Sequence, residues 1–169
     1  RGPALGRSRR GASRRRGLSV RARHRGAHRR GRARVQLADD TAHGSARLTQ
    51  DLDIVYRRTP ENIARLATCL GFCHPYLRGA PPGLPFRLDA ETIQRGLNFT
   101  LTTDLGALDL FGEIPGGAYE DLQRDTIEIK VFGITCRFLG LRRLIEVTRA
   151  AGRPRDLEAI AELQALLDE

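Results

Sequence analysis

The sequence has no methionine, and its only lysine, Lys130, stands against 28 arginines. Arginine, alanine and glycine dominate, as GC-rich codons would give. A chain that opens on Arg1 without any methionine is expected to be a fragment or to lack its natural start. Cysteine is scarce and odd in number, at three. That excludes a disulfide framework and predicts a reducing, cytoplasmic setting. No apolar run approaches the roughly 20 residues of a membrane-spanning helix, so no membrane is expected among the partners. Acidic residues are missing altogether from the first 34 positions, which hold 14 arginines. The whole chain carries +9, so residues 35–169 carry 9 − 14 = −5. The high isoelectric point therefore describes the N-terminal segment, and the remainder has no electrostatic reason of its own to bind nucleic acid.

Residues 1–38 show neither a 3.6-residue nor a 2-residue apolar period. Such a segment cannot bury enough surface to offset its ordering entropy, and a disordered basic tail is expected. Three readings of it stay open. It is a basic arm that tracks phosphates on RNA or DNA. It is a transit peptide, which would be rich in Arg and poor in acids, although it lacks the amphipathic apolar face. Or it is the out-of-frame translation of GC-rich DNA, which yields runs of Arg, Gly and Ala like this one.

Beyond it the pattern changes. Leu52, Ile54 and Tyr56 alternate with Asp51, Asp53 and Val55, which predicts a strand. Thr59-Pro60-Glu61 opens a helix, with Ile63, Leu66, Ala67 and Leu70 at helical spacing as far as Gly71. Residues 79–85 are a Gly/Pro loop, and 89–94 a short helix. Strands are expected at 98–103 and 105–111 across a turn near 104–106. A helical turn is expected at 119–124, and a hairpin at 126–132 and 134–139 around Gly133. Two helices close the chain, one stopping at Gly152 and one led by Pro154, with Leu157, Ile160, Leu163 and Leu166 along one face. The fold class is α+β, a mixed sheet of about four or five strands with helices packed against it.

Asp51-Leu52-Asp53 is the chemical centre. Residues two apart on a strand project from the same face, so the two carboxylates stand together while Leu52 and Ile54 enter the core behind them. Like charges so placed repel unless a cation lies between them. Clustered oxygen donors suit Mg²⁺ or Mn²⁺. Asp109, in Leu108-Asp109-Leu110, supplies a third carboxylate on a second apolar-flanked strand. The plainer alternative is a pair of solvated carboxylates at a strand edge.

The stretch HGSARLTQDLDIV at 43–55 resembles the signature of a bacterial group in the nucleotidyltransferase superfamily, similar to the abortive-infection and minimal nucleotidyltransferases of toxin–antitoxin systems. Gly44, Arg47, Thr49, Asp51 and Asp53 match that signature. LPFRLDAETI, NFTLTTDLGALDLFGE and AAGRPRDLEAIAEL are also similar, so the resemblance covers residues 41–169 in consistent order. It implies a nucleotidyltransferase-like domain that transfers a nucleotide from a nucleoside triphosphate to a protein or RNA hydroxyl, in a toxin–antitoxin or phage-defence setting. Mg²⁺ (or Mn²⁺) would be held by Asp51, Asp53 and Asp109, with Asp109 also helping to activate the hydroxyl. Gly44, Ser45, Arg47 and Thr49 would serve nucleotide binding, and a toxin or antitoxin would be the protein partner. For Arg47 a salt bridge to a nearby acid is the equal alternative.

The match departs in two places. The group has a Gly-Gly turn some 12 to 15 residues before the Asp pair, where this chain has Gln36-Leu37. Gly44-Ser45 resembles the turn but lies closer to Asp51. The domain is therefore expected to lack its first strand and that turn, through a frameshift near Asp40 or a misassigned start. Thr148 stands where the group often has Lys. These departures keep a second reading in view, a non-catalytic interaction module or inactive remnant of the same fold. A third is nucleic-acid binding through the basic arm. Cys69, Cys73 and His74 form a sparse candidate zinc set whose fourth ligand would be Cys136 or a distant His, with free buried cysteine as the plainer alternative. The loop 112–117 has no lysine and is not a phosphate loop.

Overall fold

The computed structural model describes residues 33–38, 51–152 and 156–168. These residues form a mixed α+β fold built on one seven-stranded sheet. In chain order its strands are β1 (Val35–Leu37), β2 (Asp51–Tyr56), β3 (Tyr76–Leu77), β4 (Asn98–Thr103), β5 (Gly106–Phe111), β8 (Thr126–Val131) and β9 (Ile134–Leu139). Across the sheet the order is β3-β4-β5-β2-β1-β9-β8. The β2·β5 and β1·β9 pairs are parallel and the others antiparallel. A small ribbon, β6 (Glu113–Ile114) with β7 (Gly117–Ala118), stands apart.

The five strands legible from alternation are β2, β4, β5, β8 and β9. The sheet is wider than the expected four or five because β1 and β3 are three and two residues long. Segments so short cannot display a period. β1 also corrects the expected boundary of the tail. Val35–Leu37 pair with Tyr56, Val55 and Ile54 of β2, and Leu37 pairs with Phe138 of β9. A strand therefore precedes β2, and the sheet runs through residues that composition assigns to the tail. The anchor is Asn62, which is buried. Its Oδ1 accepts from the Arg34 N–H at 2.6 Å, and its Nδ2 donates to the Arg34 and Arg57 carbonyls. The disorder expected of residues 1–32 lies outside the described residues.

Helices cover both faces. α1 (Pro60–Leu70) and α2 (Ala90–Arg95) are capped by Thr59 and Asp89, whose side chains accept from the N–H groups of Asn62 and Thr92. Their Ile63, Leu66 and Ile93 close a core with Ile54, Tyr56, Leu101, Leu108 and Leu110. Burying each of these side chains contributes about 1.5–3 kcal/mol. Leu52, expected in that core, is 41% exposed and lies outside the cluster that α1 closes. On the opposite face α3 (Tyr119–Leu122), α4 (Leu141–Ala151) and α5 (Asp156–Asp168) pack Tyr119, Leu122, Leu144, Ile145, Ile160 and Leu163 against Val55 and Leu139. On α5, Ile160 and Leu163 are buried, whereas Leu157 of the expected apolar face is exposed. Among the described residues no helix is long and apolar enough to cross a membrane.

Candidate carboxylate site

On β2 the even residues Ile54 and Tyr56 enter the first core, and Val55 enters the second. Asp51 and Asp53 share Val55's side of the strand. On β5, Leu108 and Leu110 are buried in the first core, so Asp109 faces the same way as the aspartate pair. The parallel register then sets Asp53 beside Asp109, with Asp51 beside Ala107. The structure thus brings together the three carboxylates singled out by pattern. The row extends further. Thr100 of β4 is the partner of Asp109. The Arg78 N–H donates to the Thr100 carbonyl at 2.9 Å, continuing the β3·β4 ladder by one residue. Ala38 donates to the Asp53 carbonyl at 3.0 Å on the other flank. Arg78, Thr100, Asp109, Asp53 and Ala38 therefore form one line across five strands.

Arg78 was not visible as a site residue in the sequence. Its guanidinium reaches over β4 and spans the cluster. Nη1 donates to Asp51 Oδ2 at 2.9 Å, and Nη2 donates to Asp109 Oδ1 at 2.8 Å and to the Leu101 carbonyl at 3.2 Å. The Arg78 side chain is 31% exposed and that of Asp109 19%, so the pairing is only partly screened by solvent. Nε is buried with no hydrogen-bond partner, so the fork is held by its two ends alone. The signal was faint: a two-residue extended run, Tyr76-Leu77, ahead of a Gly/Pro loop.

A cleft of about 300 Å³ opens beside this face. Asp51, Asp53, Glu113, Thr148 and Asp156 line it, with an apolar wall from α4 and α5 that includes Val147. Thr148, where the resemblance leads one to expect Lys, faces this cleft as a neutral residue and donates back to the Leu144 carbonyl at 2.8 Å. The loop after β5 thus borders the site, as Glu113 shows. Gly44, Ser45, Arg47 and Thr49, the expected nucleotide-binding residues, lie outside the described residues.

Carboxylate oxygens on neighbouring strands have the donor chemistry of a Mg²⁺ or Mn²⁺ site. They do not converge on one point: among the described residues no group of three or more His, Cys, Asp or Glu side chains is arranged to hold a metal ion. Arg78 supplies the balancing charge at Asp51 and Asp109. Cation binding by all three aspartates requires that guanidinium to withdraw.

The cysteines are dispersed. Cys69 is exposed, while Cys73 is buried in a 3₁₀ turn beyond the end of α1, so the i, i+4 relation does not put them on one helical face. Cys136 lies on β9, across the sheet. Burial pushes the Cys73 thiol up, and Asp104 adds to the effect, which makes it a poor nucleophile. His74 pairs with Asp104 on the surface. Of the C-terminal arginines, Arg143 has a largely buried side chain: it pairs with Glu146 at 3.0 Å and Asp125 at 3.6 Å, and donates to the Gly116 carbonyl at 2.6 Å. Comparison of the chain with models of known families, with curated proteins and with solved structures finds no match.

Proposed function

We propose that the carboxylate face is the site of a nucleotidyltransferase-like reaction, in which a nucleotide passes from a nucleoside triphosphate to a protein or RNA hydroxyl. The observation that carries this reading is the register of β2 on β5, which sets Asp53 beside Asp109 with Asp51 one pleat away. Mg²⁺ or Mn²⁺ at these three residues would supply charge neutralisation for the departing pyrophosphate. The chain's own groups define the rest. Asp109, beside Asp53 in the register, would accept the proton of an incoming hydroxyl. The cleft is walled on one side by α4 and α5. The Arg78 guanidinium, once released from its carboxylates, is positioned to meet a phosphate. The setting we favour is a cytoplasmic toxin–antitoxin or defence system.

The test is nucleotide transfer from α-labelled nucleoside triphosphates onto total RNA or protein, by the full chain with Mg²⁺. Labelling lost in Asp53→Ala supports the proposal. Labelling that persists in Asp53→Ala, in Asp51→Ala and in Asp109→Ala places the chemistry elsewhere and refutes it.

A second reading, an inactive remnant of the same fold that serves as a binding module, is favoured by the Arg78 bridge itself. It predicts no transfer by the wild type and none by Arg78→Ala.

A further inference from the structure

The far edge of the sheet carries a surface that the carboxylate site does not use. β8 and β9 form a hairpin closed by Phe132 and Gly133, both with positive φ, at 50° and 81°. Two such residues make the tight turn whose twist matches a two-residue hairpin, and glycine takes the second position without strain. In that geometry Val131 and Ile134 exchange hydrogen bonds, and so does every second pair. The ladder continues to Gly140, whose N–H donates to the Asp125 carbonyl at 2.7 Å. Ile127, Ile129 and Val131 thus spend their backbone groups on β9. Those of Thr126, Glu128 and Lys130 point away from the sheet. β8 is the last strand in the order, and nothing among the described residues pairs beyond it.

Such an edge is a template for another strand. Its side chains also carry an apolar stripe. Ile127, Ile129 and Val131 lie on one face of β8, and Ile134 and Cys136 continue that face on β9. Ile127 and Ile134 are exposed, and Phe132 at the tip is 98% exposed.

We propose that β8 pairs antiparallel with β8 of a second copy of this chain, about a two-fold axis at Ile129. The register follows from two constraints. Hydrogen bonding across the new edge requires outward residues to face outward residues, so even positions meet even positions. Among such registers, one centred on residue 128 sets Glu128 against Glu128, and one centred on residue 130 sets Lys130 against Lys130. The register centred on Ile129 sets Glu128 of each copy opposite Lys130 of the other, twice, and exchanges four backbone hydrogen bonds. It also brings the two Ile129 side chains into a close, non-hydrogen-bonded pair, with Ile127 opposite Val131, so the apolar stripe runs on across the axis. The chain's only lysine is the residue that completes this match. Glu128 already holds Arg137 on its β9 side at 3.3 Å, which orients its carboxylate on the face that Lys130 of the second copy joins. Six residues a side is a small contact, so association in the micromolar range is expected.

The test uses the nuclease-treated full chain in sedimentation velocity between roughly 1 and 200 µM. The wild type forms a dimer with rising concentration. Lys130→Glu and Glu128→Lys each set like charges opposite one another at both contacts, and each weakens dimerisation about thirtyfold. An equimolar mixture of the two variants restores the opposite-charge pairs at both contacts and regains wild-type affinity as a heterodimer. That recovery also shows that both variants are folded. A wild type that stays monomeric overturns the proposal and leaves the edge to a strand from a different protein. Single variants that dimerise like the wild type, or a mixture that stays monomeric, overturn it as well.

Discussion

Replacing Arg78 by alanine is the sharpest probe of the carboxylate face. The guanidinium holds two charge-assisted hydrogen bonds, one to Asp51 and one to Asp109, whose side chains are 42% and 19% exposed. Exposed ion pairs contribute roughly 0–1 kcal/mol. Removing one partner of a fully buried pair costs about 3–5 kcal/mol, because a desolvated charge is left behind. This pair lies between those limits, and Asp53 stands beside Asp109. A loss of about 2 kcal/mol is therefore expected, and with it a fall in melting temperature of about 6 °C. The assay is thermal unfolding with and without divalent cations. In the wild type, Mg²⁺ or Mn²⁺ must compete with Arg78, and the melting temperature stays nearly constant. In Arg78→Ala the cation that competes at Asp51 and Asp109 is gone. A ligand at one hundred times its dissociation constant stabilises by about 2.7 kcal/mol, enough to recover the loss. The double variant Arg78→Ala with Asp109→Asn also removes the carboxylate charge that Arg78 balances, and is more stable than Arg78→Ala alone in the absence of metal. If Arg78→Ala matches the wild type in stability, the bridge is no counter-charge. If it is destabilised yet indifferent to cations, these aspartates do not make a divalent site.

Two further outcomes test the scaffold. Gly112→Ala is destabilised by about 2 kcal/mol, because a Cβ there would lie 2.8 Å from the Leu97 carbonyl oxygen and 2.9 Å from Arg58 Cδ. Chemical denaturation measures this, and an unchanged midpoint would show that the turn after β5 yields freely. Asp89→Ala removes the α2 cap and lowers the melting temperature at neutral pH. The Thr92 N–H holds the Asp89 carboxyl below its ordinary range. Its contribution is therefore complete above the unfolded carboxyl pKa and is lost as pH falls through the lower folded value. The gap between Asp89→Ala and wild type closes over that acid range, and a gap that persists there would refute the cap.

Much of this was legible in the sequence where an element is long enough to show a period. Thr59-Pro60 and Asp89 mark helix starts by cap chemistry that acts within three residues. Gly133 marks a hairpin between two alternating runs. Asp109 could be matched with Asp51 and Asp53 because apolar neighbours fixed which way each strand faced. Arg78 could not, because its role depends on β3 lying next to β4, and pairing between strands leaves no trace in either strand's own alternation. β1 was hidden for a related reason: three residues beside an arginine-rich run take their character from composition until the buried Asn62, 28 residues on from Arg34, fixes them in place. Leu52 reads as core by alternation, yet alternation says nothing about where a covering helix stops.

The brevity of β1 bears on how the sheet is made. The hairpins β4·β5 and β8·β9 close over short loops and can form early. Among the described residues, the two halves of the sheet are joined by strand pairing only through Val35–Leu37, and on the β9 side by the pairing of Leu37 with Phe138, a contact distant in sequence. Contacts so distant in sequence carry the loop-closure cost before any return, so this seam is expected to form last and to slow folding. It also sets a limit for trimming. Cutting the chain after Ala38, where the arginine-rich composition gives way, would remove the seam and leave two half-sheets with raw edges. A cut before residue 33 would spare it.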